Sequence, residues 1–283
     1  MVQRSWQRAT AHRRRRPVWR GLLAGVGVAV VACGGTGSGP APVQVAVAAN
    51  FAATARTLAA IFERETGTPV SLAVASTGSL YAQIVNGAPH HVVLSADEDS
   101  PRRLEEAGLA VPDTRFVYAL GQLVAFAPGR EGDWALPDVL TEAGVRVAWA
   151  DPRTAPYGAA ARAALDRWQI AAPEGAIGES VGHVLQYVRT GAVDVAFVSR
   201  AQVVDADAGH VRPVPASVAG PIPQAALLLL PGRAVPEAME FLRFLQSERA
   251  RSVIDEAGYG LAPGPGPAPG SLESAGSVGG GGG

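Results

Sequence analysis

Short apolar runs alternate with segments of helical spacing along the first part of the chain, and this alternation limits the possible fold more than any other feature. Three runs have the length and composition of buried strands: residues 43–49, 69–75 and 92–95. Three segments between and after them have the spacing of helices: residues 51–66, 80–86 and 101–107. Because a strand–helix–strand order is typical of parallel pairing, we predict a parallel sheet with right-handed crossovers.

The pattern begins again in the second half of the chain, after a long extended run at residues 116–127. Further strands are predicted at residues 145–150, 193–198 and 224–230. Further helices are predicted at residues 158–168, 181–190, 236–246 and 248–257. The sequence therefore predicts an α/β protein with two units, in which the last segments are able to return to the first unit.

The two ends of the chain have compositions that do not suit a core. Residues 1–32 are organised as a secretory signal peptide, with basic residues up to Arg20 and then an apolar run too short to span a bilayer. The run ends in V-V-A-C, which resembles a bacterial lipoprotein cleavage box, and we predict that Cys33 becomes the lipidated first residue of the mature chain. Residues 33–42 then form a flexible linker, and residues 263–283 a disordered Gly/Pro tail. Secretion without a lipid is the alternative.

The charge and the cysteine content exclude several classes of function. The full chain has 24 basic and 25 acidic residues, a net charge of −1; seven of the basic residues lie between Arg4 and Arg20, so removal of the predicted signal peptide leaves 17 basic against 25 acidic residues, a net charge of −8. A protein this acidic lacks the basic face that nucleic acids require. A single cysteine excludes a disulfide framework and a multi-cysteine metal site, and the adjacent His90 and His91 would point to opposite faces of a strand. We predict no nucleic-acid partner, no metal cation and no cofactor.

Small and neutral polar residues occupy four turns that lead into predicted helices. The turns are V-A-V-A-A-N-F ending at Phe51, A-S-T-G-S from Ala75, D-P-R-T-A-P-Y-G from Asp151 and G-E-S-V-G from Gly178. Ligands of parallel α/β sheets bind outside the carboxyl ends of the strands. Unpaired N–H groups and the positive end of the helix dipole gather at helix starts, which suits an anion held without a cationic side chain. The alternative is that Asn50, Thr77 and Ser180 are only helix caps.

Taken together, these turns resemble the periplasmic molybdate-binding protein family of bacterial ABC transporters. The most specific segments are Y-A-Q-I-V-N-G-A-P at residues 81–89 and S-A-D at residues 95–97, and the resemblance extends from about residue 43 to residue 261. It implies an α/β, two-lobed periplasmic solute-binding fold of type II, in which each lobe is a mixed or parallel sheet flanked by helices. It also implies that one tetrahedral oxyanion, molybdate or tungstate, binds in the cleft between the lobes. The implied lobes are residues 43–120 with 224–262 and residues 121–223.

The resemblance implies five oxyanion-binding residues. The first turn supplies a donor at Asn50 and backbone at Ala49, the second a hydroxyl at Thr77, the third a phenol at Tyr157, and the fourth the backbone N–H of Val181. Another subgroup of the family has a tyrosine where this chain has Ser199. All five positions are uncharged, so we expect a cage of hydrogen-bond donors around an anion whose oxygens only accept.

The resemblance also implies the role and the partners of the protein. We expect an extracytoplasmic lipoprotein, anchored to the membrane through Cys33, that delivers its ligand as a monomer to the permease of an ABC transporter and has no enzymatic activity. Sulfate or another oxyanion is the alternative ligand, and iron is disfavoured because no tyrosines cluster in the sequence. An exported enzyme acting on a small anion, or a transcriptional regulator with a sensing domain of this fold, is a weaker alternative.

Overall fold

The computed structural model describes residues 40–171 and 173–262, which form two five-stranded sheets flanked by helices. The predicted signal peptide, Cys33, the predicted tail and most of the predicted linker lie outside the described residues. Among the helices within the described ranges, none combines the length and the apolar character needed to cross a membrane.

From residue 43 to residue 106, strands and helices alternate as the sequence pattern predicts. The strands in chain order are β1 (Val43–Ala48), β2 (Val70–Ala75), β3 (Val92–Leu94), β4 (Phe116–Gly121), β5 (Leu123–Phe126), β6 (Val147–Ala150), β7 (Gly175–Gly178), β8 (Val195–Ser199), β9 (Val211–Pro213) and β10 (Ile222–Leu228). The helices are α1 (Ala52–Thr66), α2 (Thr77–Val85), α3 (Asp99–Glu106), α4 (Pro156–Arg167), α5 (Val181–Arg189), α6 (Ala216–Ala219), α7 (Pro236–Phe244) and α8 (Glu248–Glu256).

Lobe 1 is built on the sheet with strand order β2-β1-β3-β10-β4. Strand β1 is parallel to β2 and β3, whereas β10 is antiparallel to β3 and β4. Helices cover both faces, so β1 is apolar without alternation: Val45 and Val47 pack on the side of α1, α7 and α8, and Ala46 packs on the side of α2 and α3. Helix α1 ends at Gly67, whose φ of 73° gives the left-handed C-cap that glycine adopts without strain.

Lobe 2 is built on the sheet with strand order β7-β6-β8-β5-β9. Strand β6 is parallel to β7 and β8, and β5 is antiparallel to β8 and β9. Helices α4 and α5 contact this sheet, and a single apolar cluster fills the lobe around Phe197 and Leu165. Both lobes therefore have a mixed sheet flanked by helices, which confirms the predicted fold class.

The chain passes between the two sheets twice. Strands β4 and β5 are separated only by Gln122, and the chain returns to the first sheet between β9 and β10. The extended run at residues 116–127 is thus two strands in different sheets. Strands β7 and β9 were not among the predicted elements, because G-A-I-G and V-R-P are short and carry neither an apolar run nor a regular alternation.

Candidate functional site

Four strands lead into turns that meet at one small cavity. Strands β1, β2, β6 and β7 are each followed by a turn and then by the first residues of a helix or a 3-10 turn. The cavity has a volume of about 10 Å³, roughly the space of one water-sized sphere. Its lining comes from the end of β1, from these turns and from the second residue after β3: Ala48, Ala49, Asn50, Ser76, Thr77, Ala96, Ala155, Pro156, Tyr157, Ser180 and Val181. The structure therefore brings all five sequence-predicted residues to one place.

Backbone N–H groups at helix starts face this cavity from both lobes. Thr77 and Val181 are the first residues of α2 and α5, and Tyr157 is the second residue of α4, after Pro156. The first N–H groups of a helix have no partner inside the helix, and within the described residues these three donate to no protein acceptor. The partial positive charge at helix starts favours an anion at such a point.

The Thr77 hydroxyl, on a residue that lines the cavity, keeps its proton free of any protein acceptor within the described residues. Its Oγ1 accepts a hydrogen bond from the backbone N–H of Ala96 at 3.2 Å, and the side chain is buried. Since that bond uses a lone pair and not the proton, the O–H remains available as a donor. The cap of α2 is Ser76, whose hydroxyl accepts from the backbone N–H of Ser79. Thr77 is thus not the cap that the alternative interpretation required, whereas Ser180 does cap α5.

The Asn50 side chain has a different role from the one expected of it. Its Nδ2 donates to Gln224 Oε1 at 2.9 Å and to the Tyr259 hydroxyl at 3.1 Å. The Tyr259 hydroxyl in turn donates to the backbone carbonyl of Asn50 at 2.9 Å. The side-chain amide is therefore committed to the protein interior, and it caps neither α1 nor the 3-10 turn before it. What Asn50 and Ala49 can offer to the cavity is backbone.

Tyr157 lies at the boundary between the cavity and a buried polar network. Its hydroxyl oxygen accepts from Ser199 Oγ at 3.0 Å and from Gln224 Nε2 at 3.1 Å, and the side chain is 2% exposed. Burial raises the pKa of this hydroxyl above its usual value. The phenol therefore keeps its proton and acts as a donor.

The network behind the cavity joins the two lobes and contains residues that the sequence did not single out. Gln224 on β10 and Tyr118 on β4 belong to lobe 1, and the Tyr118 hydroxyl donates to Gln224 Oε1 at 3.0 Å. Tyr157 and Ser199 belong to lobe 2. One signal for Gln224 was present, because it is the single polar residue in the strand I-P-Q-A-A-L-L. A buried polar group in an apolar strand requires hydrogen-bond partners.

A direct contact between the lobes lies beside the cavity. The backbone N–H of Gly78, next to Thr77, donates to the carbonyl of Thr154 at 2.8 Å. A Cβ at position 78 would lie 2.9 Å from Thr154 Cα, so only glycine allows this approach. The lobes are closed over the cavity at this point.

The cavity lining contains no ionisable group except the Tyr157 phenol. The neighbouring acid, Asp97, accepts hydrogen bonds from the Ser95 hydroxyl at 2.9 Å and from the backbone N–H of Ser100 at 3.0 Å, so its carboxylate is held at the start of α3. Nowhere in residues 40–171 and 173–262 do three or more histidine, cysteine or acidic side chains gather as a metal site would require. The described residues that line the cavity therefore offer hydrogen-bond donors to an anion and carry no carboxylate, imidazole or basic side chain.

A larger groove of about 730 Å³ lies nearby between α1, α5 and α8. It shares Ala49 and Asn50 with the small cavity, but its lining includes the charged side chains of Arg56, Arg189, Asp205 and Glu256. Basic and acidic groups are mixed there, and the helix starts of lobe 2 do not reach it. The small cavity is the better candidate for an anion site.

Comparisons with known proteins agree with this architecture. A family model described as bacterial extracellular solute-binding protein matches residues 43–260. The molybdate-binding protein of Rhodobacter capsulatus is 37% identical over 219 residues, which are 76% of this chain and 86% of that protein. The molybdate-binding protein of Azotobacter vinelandii is 37% identical over 248 residues, 85% of this chain and 97% of that protein. The solved structure of the Azotobacter vinelandii periplasmic molybdate-binding protein matches with a TM-score of 0.74 and 34% identity, covering 78% of this chain and 100% of that one.

Proposed function

This chain belongs to the molybdate-binding family of bacterial extracellular solute-binding proteins, and on that premise we propose that it captures molybdate in the cavity between its lobes. One observation carries the proposal: donors from both lobes converge on a cavity lined without a cationic or carboxylate side chain. We propose as ligand contacts the backbone at Ala49, Asn50, Tyr157 and Val181 together with the Thr77 and Tyr157 hydroxyls.

The chemistry of a molybdate dianion fits these donors. It carries no proton at neutral pH, and its four oxygens are hydrogen-bond acceptors, so every contact must come from an N–H or an O–H. Hydrogen bonds to an ionised acceptor are among the strong ones. At short range, oriented N–H groups outweigh the distant and screened acidic charges of the rest of the protein. A cavity this small also leaves no room for a sugar or an amino acid.

The same donors favour an unprotonated anion over phosphate. At neutral pH phosphate keeps a proton, and a cage that offers only donors leaves that proton without an acceptor, which costs binding energy. Tungstate has the same charge and the same set of acceptors as molybdate, so we propose that it binds as well. Sulfate is the alternative ligand, since only its smaller size separates it from molybdate in such a cage.

We propose that ligand binding stabilises the closed arrangement of the lobes. Donors at Asn50 and Thr77 come from lobe 1 and donors at Tyr157 and Val181 from lobe 2, so the complete set exists only when the lobes meet. A ligand that contacts both lobes shifts the equilibrium toward the closed form by its differential affinity. The two passages of the chain between the sheets are the proposed hinges.

Delivery to the permease of an ABC transporter follows from this proposal. The closed lobes present a surface that differs from that of the open form, and a permease can recognise it. We further propose that the protein is exported, anchored to the membrane through a lipid on Cys33, and monomeric. Support for the anchor comes from the V-V-A-C sequence alone. We propose no catalytic role, because the described residues that line the cavity include no histidine, cysteine, acidic or basic side chain.

Thermal unfolding with and without ligand tests the proposed function. A ligand present at about 100 times its dissociation constant adds roughly 2.7 kcal/mol to the free energy of unfolding. We therefore expect molybdate and tungstate in excess to raise the unfolding midpoint clearly, and equal concentrations of phosphate to leave it unchanged. Differential scanning calorimetry of the purified protein measures these shifts. A shift with sulfate equal to that with molybdate would remove the molybdate assignment, and no shift with any oxyanion would remove the proposed function.

Substitution of Thr77 tests the proposed hydroxyl contact. Thr77→Ala is expected to weaken molybdate binding by about 10- to 150-fold, which corresponds to the roughly 1.5–3 kcal/mol of a hydrogen bond to a charged group. Thr77→Ser is the matched control and is expected to retain the affinity, because serine keeps the oxygen that accepts from Ala96 and the proton that it donates. Isothermal titration calorimetry measures both. Equal affinities for Thr77→Ala and the native protein would mean that the hydroxyl makes no contact.

A further inference from the structure

Gln224 is a fully buried polar side chain at the point where the two lobes meet. It is 0% exposed, and it lies near the start of β10, where the chain has just returned to lobe 1. Its partners come from three separate parts of the chain: Asn50 before α1, Tyr118 on β4 and Tyr157 on α4. Tyr259 is linked to it through Asn50. A glutamine that only stabilised β10 would not need to reach both lobes.

The hydrogen bonds around Gln224 favour the orientation that its carboxamide has in the structure. Oε1 accepts from Asn50 Nδ2 at 2.9 Å, and it shares the single proton of the Tyr118 hydroxyl, 3.0 Å away, with the carbonyl oxygen of Ser95, which lies 3.1 Å from that hydroxyl. Nε2 donates to the Tyr157 hydroxyl oxygen at 3.1 Å. A flipped amide would place its NH₂ group against the NH₂ group of Asn50, so that two donors would face each other without an acceptor.

This orientation decides where the Tyr157 proton goes. The Tyr157 oxygen already accepts from Gln224 and from Ser199, so both of its lone pairs are used. Within the described residues the Tyr157 hydroxyl proton meets no protein acceptor. Gly121 closes the other side, since a Cβ at that position would lie 2.2 Å from the Tyr157 oxygen. Tyr157 is also one of the residues that line the cavity, so a ligand oxygen there is the acceptor that we expect for this proton.

We propose that Gln224 is a positioning residue that directs the Tyr157 hydroxyl to donate into the ligand cavity. It does so without touching the ligand, by supplying a donor to Tyr157 and leaving that phenol no acceptor inside the protein. Gln224 thereby contributes to the selection of an unprotonated oxyanion, because a phenol that can only donate has no place for the proton of phosphate. The inference rests on the proposed function, since it names a residue that acts on the same site.

Gln224→Glu separates this role from simple packing. A protonated glutamic acid donates to Tyr157 and accepts from Asn50 and Tyr118, as glutamine does. An ionised glutamate can only accept, so it draws the Tyr157 proton away from the cavity. Molybdate affinity of Gln224→Glu is therefore expected to match that of the native protein at low pH and to fall at high pH. The range to examine is roughly pH 6–9, where buried glutamic acids titrate.

The titratable groups that face position 224 do not themselves make molybdate affinity depend on pH. They are the hydroxyls of Tyr118, Tyr157 and Tyr259 and, beyond Ser95, the carboxylate of Asp97. Burial raises the pKa of all three tyrosines above the usual value, so they stay protonated in this range. The molybdate affinity of the native protein, measured over the same pH range, is the control for any effect of Asp97. Its affinity is expected to be nearly constant.

The negative charge that Gln224→Glu gains on ionisation would also repel the anion. This repulsion is the same with or without the Tyr157 phenol, so a comparison with the Tyr157→Phe background separates it from the effect on the phenol proton. We expect Tyr157→Phe alone to weaken molybdate binding by about tenfold or more at every pH. The Gln224→Glu variant loses molybdate affinity between low and high pH. In the double variant with Tyr157→Phe, we expect this loss to be at least about tenfold smaller, because no phenol proton is left to redirect. Isothermal titration calorimetry gives the affinities, and circular dichroism at each pH establishes that the variants are folded.

Two results would overturn the inference while leaving the proposed function intact. One is a Tyr157→Phe protein that binds molybdate as the native protein does. The other is a pH-dependent loss in Gln224→Glu that is the same in both backgrounds. If Gln224→Glu unfolds on ionisation, the neutral variant Gln224→Met replaces it, and its loss of affinity is expected to vanish in the Tyr157→Phe background. Failure of the native protein to bind molybdate would instead remove the proposed function.

Discussion

Replacing Phe51 by alanine is expected to lower the free energy of unfolding by about 3–5 kcal/mol, the range for removing a buried phenylalanine. The side chain is 0% exposed, and its ring meets the rings of Tyr118 and Tyr259 edge to face, with centroids 4.7 Å and 5.3 Å apart. Those two tyrosines hydrogen-bond to Gln224 and Asn50. Equilibrium unfolding in urea measures the loss of stability.

The same substitution is expected to weaken molybdate binding, since a cavity beneath Tyr118 and Tyr259 loosens the network that positions Tyr157. Phe51→Leu is the control, because it keeps most of the buried volume and is expected to cost less than about 1.5 kcal/mol. If Phe51→Ala lost its stability and yet bound molybdate with native affinity, the network would be structural only. If it kept its stability, the assignment of Phe51 to the core of lobe 1 would be wrong.

The strands and helices that were predicted well are those in which burial on one or both faces sets the residue pattern. Strands β1 and β3 are covered by helices on both faces, so they are continuous apolar runs. Helices α1 and α5 have their apolar residues at helical spacing on one side. Each of these patterns leaves a local signal in the sequence. The fold class followed from the order of such signals along the chain.

The two strands that were not predicted, β7 and β9, lack a local sequence signal because they are stabilised by pairing with a neighbouring strand. Strand β7 is an edge strand of its sheet and contains two glycines. A Cβ at Gly175 would lie 1.8 Å from the carbonyl oxygen of Val147, so the close pairing of β7 with β6 requires glycine there. Strand β9 is the opposite edge strand and ends at Pro213. Edge strands tolerate such residues, and the pairing partner is far away in the sequence.

The candidate site was predictable as a set of turns, but the direction of each side chain was not. The residue pattern placed Thr77, Tyr157 and Val181 in turns at helix starts, and in the structure they are the first or second residues of α2, α4 and α5. The inward position of the Asn50 side chain depends on Gln224 and Tyr259, which lie 174 and 209 residues away along the chain. Hydrogen bonds over such separations leave no periodic trace. The assignment of the five residues to an oxyanion stays a prediction that the affinities of the variants will test.

Gly158→Ala is expected to have the second large effect, because it acts on the position of a whole helix start. A Cβ at this residue would lie 2.2 Å from the carbonyl oxygen of Ala150 and 2.9 Å from the carbonyl carbon of Asp151. These are backbone atoms at the end of β6, so they cannot move aside as a flexible side chain would. Overpacking of this kind typically costs 1–3 kcal/mol, and we expect about 3 kcal/mol here.

The relaxation that relieves this clash moves the first turn of α4, and Tyr157 moves with it. Both of its proposed contacts, the backbone N–H and the phenol, would then miss the ligand, so we expect molybdate binding to weaken more than tenfold. Gly182→Ala is a matched control, since Gly182 also follows a site residue in the first turn of a helix, and a Cβ there would have its nearest contacts at 3.5 Å and 3.7 Å. This variant is expected to bind molybdate normally and to gain up to about 1 kcal/mol of stability from helix propensity.

Urea unfolding and calorimetric titration of the two variants separate the outcomes. Native molybdate binding by Gly158→Ala would show that the start of α4 contributes nothing to the site. Equal losses of affinity in both variants would show that any methyl group in these turns disturbs the closure of the lobes.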